Sequence, residues 1–280
     1  MYIMKNQTLI VYVAMLCIYL PSFSQTLNYS GPVSNSLGNV KVFDDSPWAT
    51  LSNVATLVQQ QSLSVGAAYQ LRFNLNELSI RAATLVCPTK YGTVSGLLFQ
   101  SGYSKSNYSR YALSYSRLFG EKVAAGLQFN YLNHQIEAAD LVGGFYSSLG
   151  ITVQTTSTLM VGVFIQNPEQ AKLNYNETEY LMPSFFNVAL RWSATSHFMV
   201  ITEFEKQLEY APVYKCAVQF NFKNKLFVRG GLKGNPVEFT FGGGFHIAGL
   251  AIDVGFSHHQ QLGLSSGAGL AYSFHHKKQK

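Results

Sequence analysis

The chain has 280 residues, and only 12% of them are charged although 47% are hydrophobic, a charged share about half that of ordinary soluble domains. Its 20 lysines and arginines and 14 acidic residues give a net charge of +6 and form no basic stripe, which excludes a nucleic-acid-binding protein. Because the mean hydropathy is +0.06 and no stretch after residue 24 approaches an apolar run of about 20 residues, a helical membrane protein is also excluded.

Residues 1–24 are predicted to be a cleaved signal peptide. Lys5 is followed by an apolar run from Leu9 to Leu20 and then by mostly small residues, so we expect the mature chain to begin at Gln25. The alternative is a membrane-anchoring helix. The apolar run is shorter than the about 20 residues that a spanning helix needs, which favours the signal peptide.

Residues 25–61 lack the alternation of a strand and are predicted to form a periplasmic or plug segment. Ser46 occupies the position of a helix N-cap, and Pro47 occupies the first helical position, before Trp48. We therefore expect a small helix here, at the mouth of the domain that follows.

From residue 62 to residue 274, bulky apolar residues alternate with small or polar ones in repeats of about ten residues. In Val123–Tyr131, one face carries Val, Ala, Leu, Phe and Tyr, and the other carries Ala, Gly, Gln and Asn. Behind an export signal, this pattern predicts an all-β transmembrane barrel in the cell outer membrane, antiparallel and up-and-down, with about 14 strands and no fewer than about 12. The predicted strands are 63–71, 77–87, 92–102, 109–118, 122–133, 141–153, 158–167, 184–193, 197–206, 211–222, 225–233, 237–246, 249–258 and 263–274.

The links between these strands alternate in length. Short turns such as 88–91 and 222–225 alternate with mostly longer and more polar links, of which Asn167 to Pro183 is the longest. Outer-membrane barrels have short periplasmic turns and longer outside loops, so both chain ends are predicted to lie in the periplasm. Residues 275–280 are predicted to form a basic tail.

Several charged residues fall on the strand faces opposite the large apolar side chains. Because Arg or Lys on the lipid face near mid-bilayer costs ~2–4 kcal/mol, we predict that these charges face the lumen. They carry both signs, which indicates either a structural network of ion pairs in a narrow lumen or a constriction that selects solutes. The predicted lumen network consists of Arg81, Arg191, Glu203, Glu205, Lys215, Arg229, Glu238 and Asp253.

The link 167–183 is predicted to be the main external contact loop. It carries more apolar surface than solubility needs, and exposed apolar patches tend to mark interaction sites. The alternative is a lid that folds over the barrel mouth, as loops do in some barrels. The candidate contact residues are Leu173, Tyr175, Tyr180, Leu181 and Met182.

The motifs indicate no enzyme, no cofactor and no metal site. Gly263–Gly267 matches G-x-S-x-G, but the hydrolase motif needs a strand–turn–helix context that is not readable here. Ser257 precedes His258 and His259, which suggests a membrane-embedded lipase, but the two histidines point to opposite faces of a strand.

Six short stretches of the chain carry a resemblance to a known family: Leu37–Val40, Asp44–Asp45, Trp48–Ala55, Leu85–Thr93, Tyr115–Lys122 and Gly230–Pro236. They resemble the PorV/PorQ-like outer-membrane proteins of Bacteroidetes, which belong to the wider FadL-like fourteen-stranded barrels. Where that group usually has Asn-Pro-Ala-Gly-Leu, residues 53–57 read Asn-Val-Ala-Thr-Leu.

The resemblance implies two functions. The first is an accessory or docking protein for type IX secretion or surface attachment, with outer-membrane lipid and other secretion-system or surface proteins as partners. The second is a FadL-like transporter of hydrophobic small molecules, and a lipid-modifying enzyme is a third, weaker hypothesis. An apolar lumen pocket with a lateral wall opening would favour transport, whereas a plugged lumen with an apolar outer loop would favour docking.

Overall fold

The computed structural model of the chain describes residues 28–137, 141–175, 178–208 and 210–274. The predicted signal peptide, the predicted start at Gln25 and the basic tail 275–280 lie outside the described residues. Within the described residues, no helix is long and apolar enough to cross a membrane.

The described chain forms a closed antiparallel barrel of 14 strands, which confirms the predicted fold. The first strand pairs with the last to close the barrel. A separate two-stranded sheet lies within the link 167–183 and was not predicted. The strands are β1 Ser64–Arg72, β2 Leu75–Thr89, β3 Gly92–Tyr103, β4 Ser106–Phe119, β5 Val123–Ile136, β6 Val142–Gln154, β7 Leu159–Gln166, β8 Lys172–Tyr175, β9 Thr178–Leu181, β10 Phe185–Ser193, β11 Phe198–Gln207, β12 Val213–Phe222, β13 Leu226–Lys233, β14 Glu238–Ile247, β15 Leu250–His259 and β16 Gly263–Ser273.

Side chains alternate between the two faces of the wall, as the period of a strand requires. On the outer face, Leu113 is 70% exposed and Phe145 is 75% exposed, which suits a band in contact with lipid. On the inner face, neighbouring positions are small or polar and mostly buried. The ladder of β1 and β2 contains one register shift, between Gln70 and Arg72.

The lumen is filled by residues 28–61, which we call the plug. Its helix α1 (Pro32–Ser36) is followed by two 3₁₀ helices, Pro47–Leu51 and Val54–Gln59. The Ser46 side chain accepts a hydrogen bond from the Trp48 amide, so the helix expected at this position is present in 3₁₀ form. The core therefore lies between plug and wall, where the largest fully buried side chains include Trp48, Phe43 and Leu57.

Inward-facing glycines let α1 lie directly on the barrel wall. A Cβ atom on Gly255 would come within 2.7 Å of the Pro32 carbonyl oxygen, and one on Gly242 within 2.6 Å of the Ser36 Cβ. On Gly269 it would lie 2.6 Å from the Pro32 ring. Because real Cβ atoms do not approach this closely, glycine is required at these three positions of β14, β15 and β16.

Candidate functional site in the plugged lumen

A buried cluster of two acids and two lysines joins the plug to the wall. Glu203 and Glu205 are two residues apart on β11 and therefore share its inner face. The Lys215 ammonium of β12 lies 2.8 Å from Glu203 and 2.9 Å from Glu205, and the Lys41 ammonium of the plug lies 3.1 Å from Glu205. Their opposite charges balance, which is how charge is normally kept inside a protein.

The same cluster binds the backbone of the plug. The Glu203 carboxylate accepts hydrogen bonds from the amides of Lys41 and Val42 at 2.8 and 2.9 Å, and Lys215 donates to the Asn39 carbonyl at 2.7 Å. The Asn187 side-chain amide donates hydrogen bonds to Glu203 and to Glu205, both at 3.0 Å. The plug residues 39–42 are thus held to β11 and β12 by charge-assisted bonds, which are stronger than neutral ones.

Lys41 is the cluster member that the plug supplies. Burial lowers its pKa to about 8, although the nearby Glu205 carboxylate acts in the opposite direction. Its ammonium makes the ion pair without an aligned hydrogen bond, and it lies 3.3 Å from the centroid of the Phe185 ring. The aromatic face therefore supplies part of the stabilisation that water would give this charge.

Arg229 and Asp253 form a second buried ion pair on the inner face of β13 and β15. The guanidinium lies 2.7 Å from the carboxylate, and its Nε donates to Gln219 at 2.8 Å. His246 Nε2 lies 3.3 Å from the same carboxylate oxygen. This group is separate from the plug cluster and belongs wholly to the wall.

Arg191 and Glu238 lie nearer the two ends of the lumen. One Arg191 nitrogen lies 2.7 and 2.6 Å from the two carboxylate oxygens of Asp45, a plug residue. Glu238 is 3.1 Å from Lys233, its neighbour across β13 and β14. Both are partly exposed, so these pairs contribute less than the buried ones.

Arg81 does not face the lumen, and this part of the prediction is wrong. Its flanking residues Ile80 and Ala82 are buried, whereas Arg81 is exposed on the outer face of β2. Its neighbours across the ladders are Tyr69 and Gln100, which are exposed too. The row lies toward the end of the barrel that carries link 167–183. The cost of a charge on the outer face falls to ~0–1 kcal/mol near the membrane interfaces.

Several charged residues of the lumen were missed, among them Lys41, Lys233, Arg110 and Asp44. Arg110 is 6% exposed on β4. It shares the inner face of that strand with Ala112, whereas Tyr111 and Leu113 lie on the outer face, so alternation could have placed it inside. Asp44 of the plug accepts hydrogen bonds from the Ser46 amide, the Ser46 hydroxyl and the Ser34 hydroxyl at 2.9, 2.5 and 3.1 Å. Burial raises the pKa of Asp44 to about 6, against the effect of these hydrogen bonds. No sequence pattern marks Asp44 as buried.

Two cavities of similar size lie on either side of α1. The outer cavity, toward the turns of residues 234–237 and 260–262, has a volume of about 440 Å³, and the inner cavity, toward the turn of residues 223–225, about 450 Å³. Asn35 and Asn39 line the outer cavity, whereas Val33 and Leu37 line the inner one. One short helix with the turn after it therefore separates the two.

The link 167–183 folds inward over the barrel mouth. Leu173 and Met182 are 8% and 3% exposed and pack with Leu132 and Tyr146 of the wall, so they are not the exposed contact residues that were predicted. Leu181 is 49% exposed. The opposite surroundings of Leu181 and Met182 are not revealed by the composition of a loop. The backbone of Tyr175 lies in β8 and that of Tyr180 in β9.

Residues of the two sequence patterns that suggested hydrolase chemistry bind backbone amides of neighbouring turns. Gly263–Gly267 runs along β16, where the Ser265 hydroxyl accepts a hydrogen bond from the Phe73 amide at 3.0 Å. His259 Nδ1 accepts from the amides of the turn that follows it. Among the described residues, no group of three or more His, Cys, Asp or Glu side chains could hold a metal ion.

The closed barrel with an internal plug has the fold of the outer-membrane channels. Among solved structures it is similar in fold to CymD, described as a monoaromatic hydrocarbon channel, with a TM-score of 0.69 at 15% identity, covering 89% of this chain and 99% of that one. The toluene transporter TbuX of Ralstonia pickettii has a TM-score of 0.66 at 14% identity, with 89% and 99% covered. The toluene transporter TodX of Pseudomonas putida has 0.65 at 12% identity, with 90% and 100% covered. No protein-family model and no curated protein matches the sequence.

Proposed function

We propose that this protein carries small apolar solutes across the outer membrane through its lumen. The observation that carries the proposal is the pair of cavities, about 440 and 450 Å³, which α1 and the turn after it separate. Each volume lies in the range of about 300–1,000 Å³ that small-molecule sites occupy. The proteins with the same fold are described as channels and transporters of monoaromatic hydrocarbons, which supports this function over docking.

The lining of the cavities favours solutes with an apolar body. The outer cavity has Phe73, Leu78 and Ile80 on its wall, and the inner cavity has Phe43 and Trp48. Polar groups are also present at both, as in ligand sites that orient a solute. A monoaromatic hydrocarbon is the solute class that we propose.

In this proposal, the ion pairs of the lumen hold the plug to the barrel wall. The predicted alternatives were a structural network and a constriction that selects solutes. The buried acids Glu203, Glu205 and Asp253 each have a cation within 3.1 Å, and three groups of the plug bind Glu203 or Lys215. Groups already paired in this way have little capacity left to bind a passing solute, which favours the structural role.

A disulfide between plug and wall tests the proposal. The hydroxyls of Thr50 and Thr84 are 2.8 Å apart, so cysteines at these positions bring two sulfurs close to the bond length of about 2.05 Å. The background carries Cys87→Ala and Cys216→Ala, because these two thiols of the described residues are free. Intact cells that carry the oxidised Thr50→Cys/Thr84→Cys protein are expected to lose uptake of radiolabelled toluene and to regain it after reduction with dithiothreitol.

The matched control joins wall to wall and leaves the plug free. The Ser95 and Ser114 hydroxyls of β3 and β4 are 2.5 Å apart, and oxidised Ser95→Cys/Ser114→Cys is expected to keep normal uptake. Uptake that survives the plug disulfide would show that solutes do not pass by movement of the 3₁₀ helix Pro47–Leu51. If the unmodified protein gives no more uptake than cells without it, the transport function itself is wrong.

Docking remains a second proposal, in which the protein is a PorV/PorQ-like accessory of type IX secretion or surface attachment. The plugged lumen and the 49% exposed Leu181 on the outer hairpin favour it. Its partners would be outer-membrane lipid and other secretion-system or surface proteins. Replacing Tyr175, Tyr180 and Leu181 with Ser is then expected to remove a partner from a pull-down of native outer membrane, while the barrel still assembles.

A further inference from the structure

Three neighbouring strands give the outer cavity a polar side. Gln70 of β1, Ser265 of β16 and His259 of β15 line it, and these residues are 4%, 2% and 7% exposed. Across the ladders, Gln70 lies opposite Gly267 and His259 lies opposite Gly263, so Ser265 is midway between them on the strand that separates them. One small polar group of a solute can therefore lie among the three side chains.

His259 presents a hydrogen-bond donor to the cavity. The amides of Gln261 and Leu262 both donate to its Nδ1 at 3.2 Å. A ring nitrogen that accepts a hydrogen bond carries no proton, so the proton of this imidazole is on Nε2. Nε2 is at the far end of the ring from the backbone, and the side chain lies on the inner face of β15. The turn after β15 thus fixes the tautomer that donates into the lumen.

Ser265 is a second donor, for a similar reason. Its hydroxyl oxygen accepts from the Phe73 amide at 3.0 Å, which leaves the O–H hydrogen to donate elsewhere. The side-chain amide of Gln70 carries both a donor and an acceptor. The polar side of the cavity therefore suits an uncharged oxygen that accepts hydrogen bonds, and a hydroxyl suits it best because it can also donate to Gln70.

The opposite side of the cavity is apolar and begins directly beside these donors. It is supplied by Phe73 in the turn after β1 and by Leu75 and Leu78 of β2. The Phe73 and His259 rings meet edge to face, with centroids 6.0 Å apart and an interplanar angle of 79°. An aromatic solute can therefore pack its ring against the Phe73 side while its oxygen reaches His259.

We propose that the outer cavity selects monoaromatic solutes with one hydroxyl group, of which phenol is the simplest, over bare hydrocarbons. The proposal rests on the proposed function, because it specifies which solutes enter a cavity to which that function assigns transport. The solute hydroxyl accepts from His259 and Ser265 and donates to the side-chain oxygen of Gln70. A hydrocarbon of the same size displaces water from these buried donors and leaves them unpaired, which weakens its binding.

Two probes that differ by a single hydroxyl test this selectivity. Binding of 4-fluorophenol and of fluorobenzene is measured by ¹⁹F NMR titration of the purified full-length protein in lipid nanodiscs. Protein-free nanodiscs give the correction for partition into lipid. We expect 4-fluorophenol to bind about tenfold more tightly, since one hydrogen-bonding group contributes roughly that factor. Equal affinities, or tighter binding of fluorobenzene, would overturn the proposal.

Substitutions at the two donors assign the effect to this site. His259→Asn removes the Nε2 donor, while its side-chain oxygen can still accept from the amides of Gln261 and Leu262. It is expected to reduce the preference to about twofold or less. Ser265→Ala removes the second donor and gives an independent measurement if His259→Asn does not fold. His134→Asn, on β5 and not in the wall of this cavity, is the matched control and keeps the full preference. A full preference in both donor variants would contradict the proposal.

Crystals soaked in 4-bromophenol locate the solute. An anomalous bromine peak is expected in the outer cavity, with the phenol oxygen beside His259 Nε2. A peak confined to the inner cavity, or a phenol oxygen directed away from His259 and Ser265, would overturn the assignment. Because binding is measured without transport, a failed toluene uptake experiment leaves these readouts unaffected, and failures of the two proposals are distinguishable.

Discussion

The Lys215 ammonium and the Glu203 carboxylate lie 2.8 Å apart, and neither side chain is exposed to solvent. Lys215→Met would leave two buried carboxylates facing Lys41 alone. Breaking a buried pair in this way costs about 3–5 kcal/mol of the free energy of unfolding. The measurement is the urea midpoint of heat-modifiable gel migration. The double variant Lys215→Met/Glu203→Gln restores the charge balance and is expected to recover part of the loss, and a double variant as unstable as the sum of its parts would argue against direct pairing.

Arg229→Leu is expected to destabilise the barrel wall without loosening the plug. The substitution removes the guanidinium 2.7 Å from Asp253 and leaves that carboxylate with His246 as its remaining polar neighbour. We expect a loss of about 3–5 kcal/mol in unfolding free energy. Because Arg229 makes no hydrogen bond to residues 28–61 in the described structure, proteolysis of the plug should stay at the unmodified rate. Faster cleavage within the plug would contradict this separation.

Asp44 is expected to stabilise the plug against local unfolding at acidic pH. The folded-state pKa of Asp44 is raised from 3.8 to about 6, so the native state holds a proton that the unfolded chain releases. The stabilisation is fully present below pH 3.8 and is lost as the pH rises through about 6. Hydrogen exchange of residues 28–61 should therefore be slower at pH 5 than at pH 7.5, after correction for the intrinsic rate. Asp44→Asn should flatten this difference, and an unchanged difference in the variant would assign it to another group.

Met182 and Leu181 are adjacent residues with opposite surroundings, which makes them a matched pair. Met182 is 3% exposed under the link 167–183, whereas Leu181 is 49% exposed. Met182→Ser is expected to cost about 2–5 kcal/mol locally and to raise the leakage of small solutes, because it removes packing between the link and the wall. Leu181→Ser should leave leakage unchanged. Equal leakage in the two variants, measured in proteoliposomes, would show that the link does not close the mouth.

The strands were predictable because alternation is a local property. Each of the 14 barrel strands begins and ends within about three residues of its predicted bounds. The face of Arg81 was not predictable from cost alone, since the cost of a charge depends on depth in the bilayer and the sequence does not give depth. Lys41 and Glu205 are an ion pair between segments 164 residues apart, and no periodicity connects a plug residue to one strand.

The inward-facing charges of the barrel strands were therefore largely predictable from the sequence, whereas those of the plug were not. Alternation places Glu203 and Lys215 on inner faces, whereas Asp44 lies in irregular chain where no period indicates burial. The inward fold of the link 167–183 rests on two strands of four residues each, too short for their alternation to be read beforehand.

The bare contact between α1 and the wall has a consequence for how the two cavities could join. Gly242, Gly255 and Gly269 present only backbone to α1, and the Thr240 hydroxyl beside them donates to the Ser36 carbonyl at 3.2 Å. Departure of α1 would break this hydrogen bond. The strip that it uncovers would be mostly backbone, with one hydroxyl, and it would run from one cavity to the other. Valine in place of any of these glycines would place a side chain on that strip and would also displace α1.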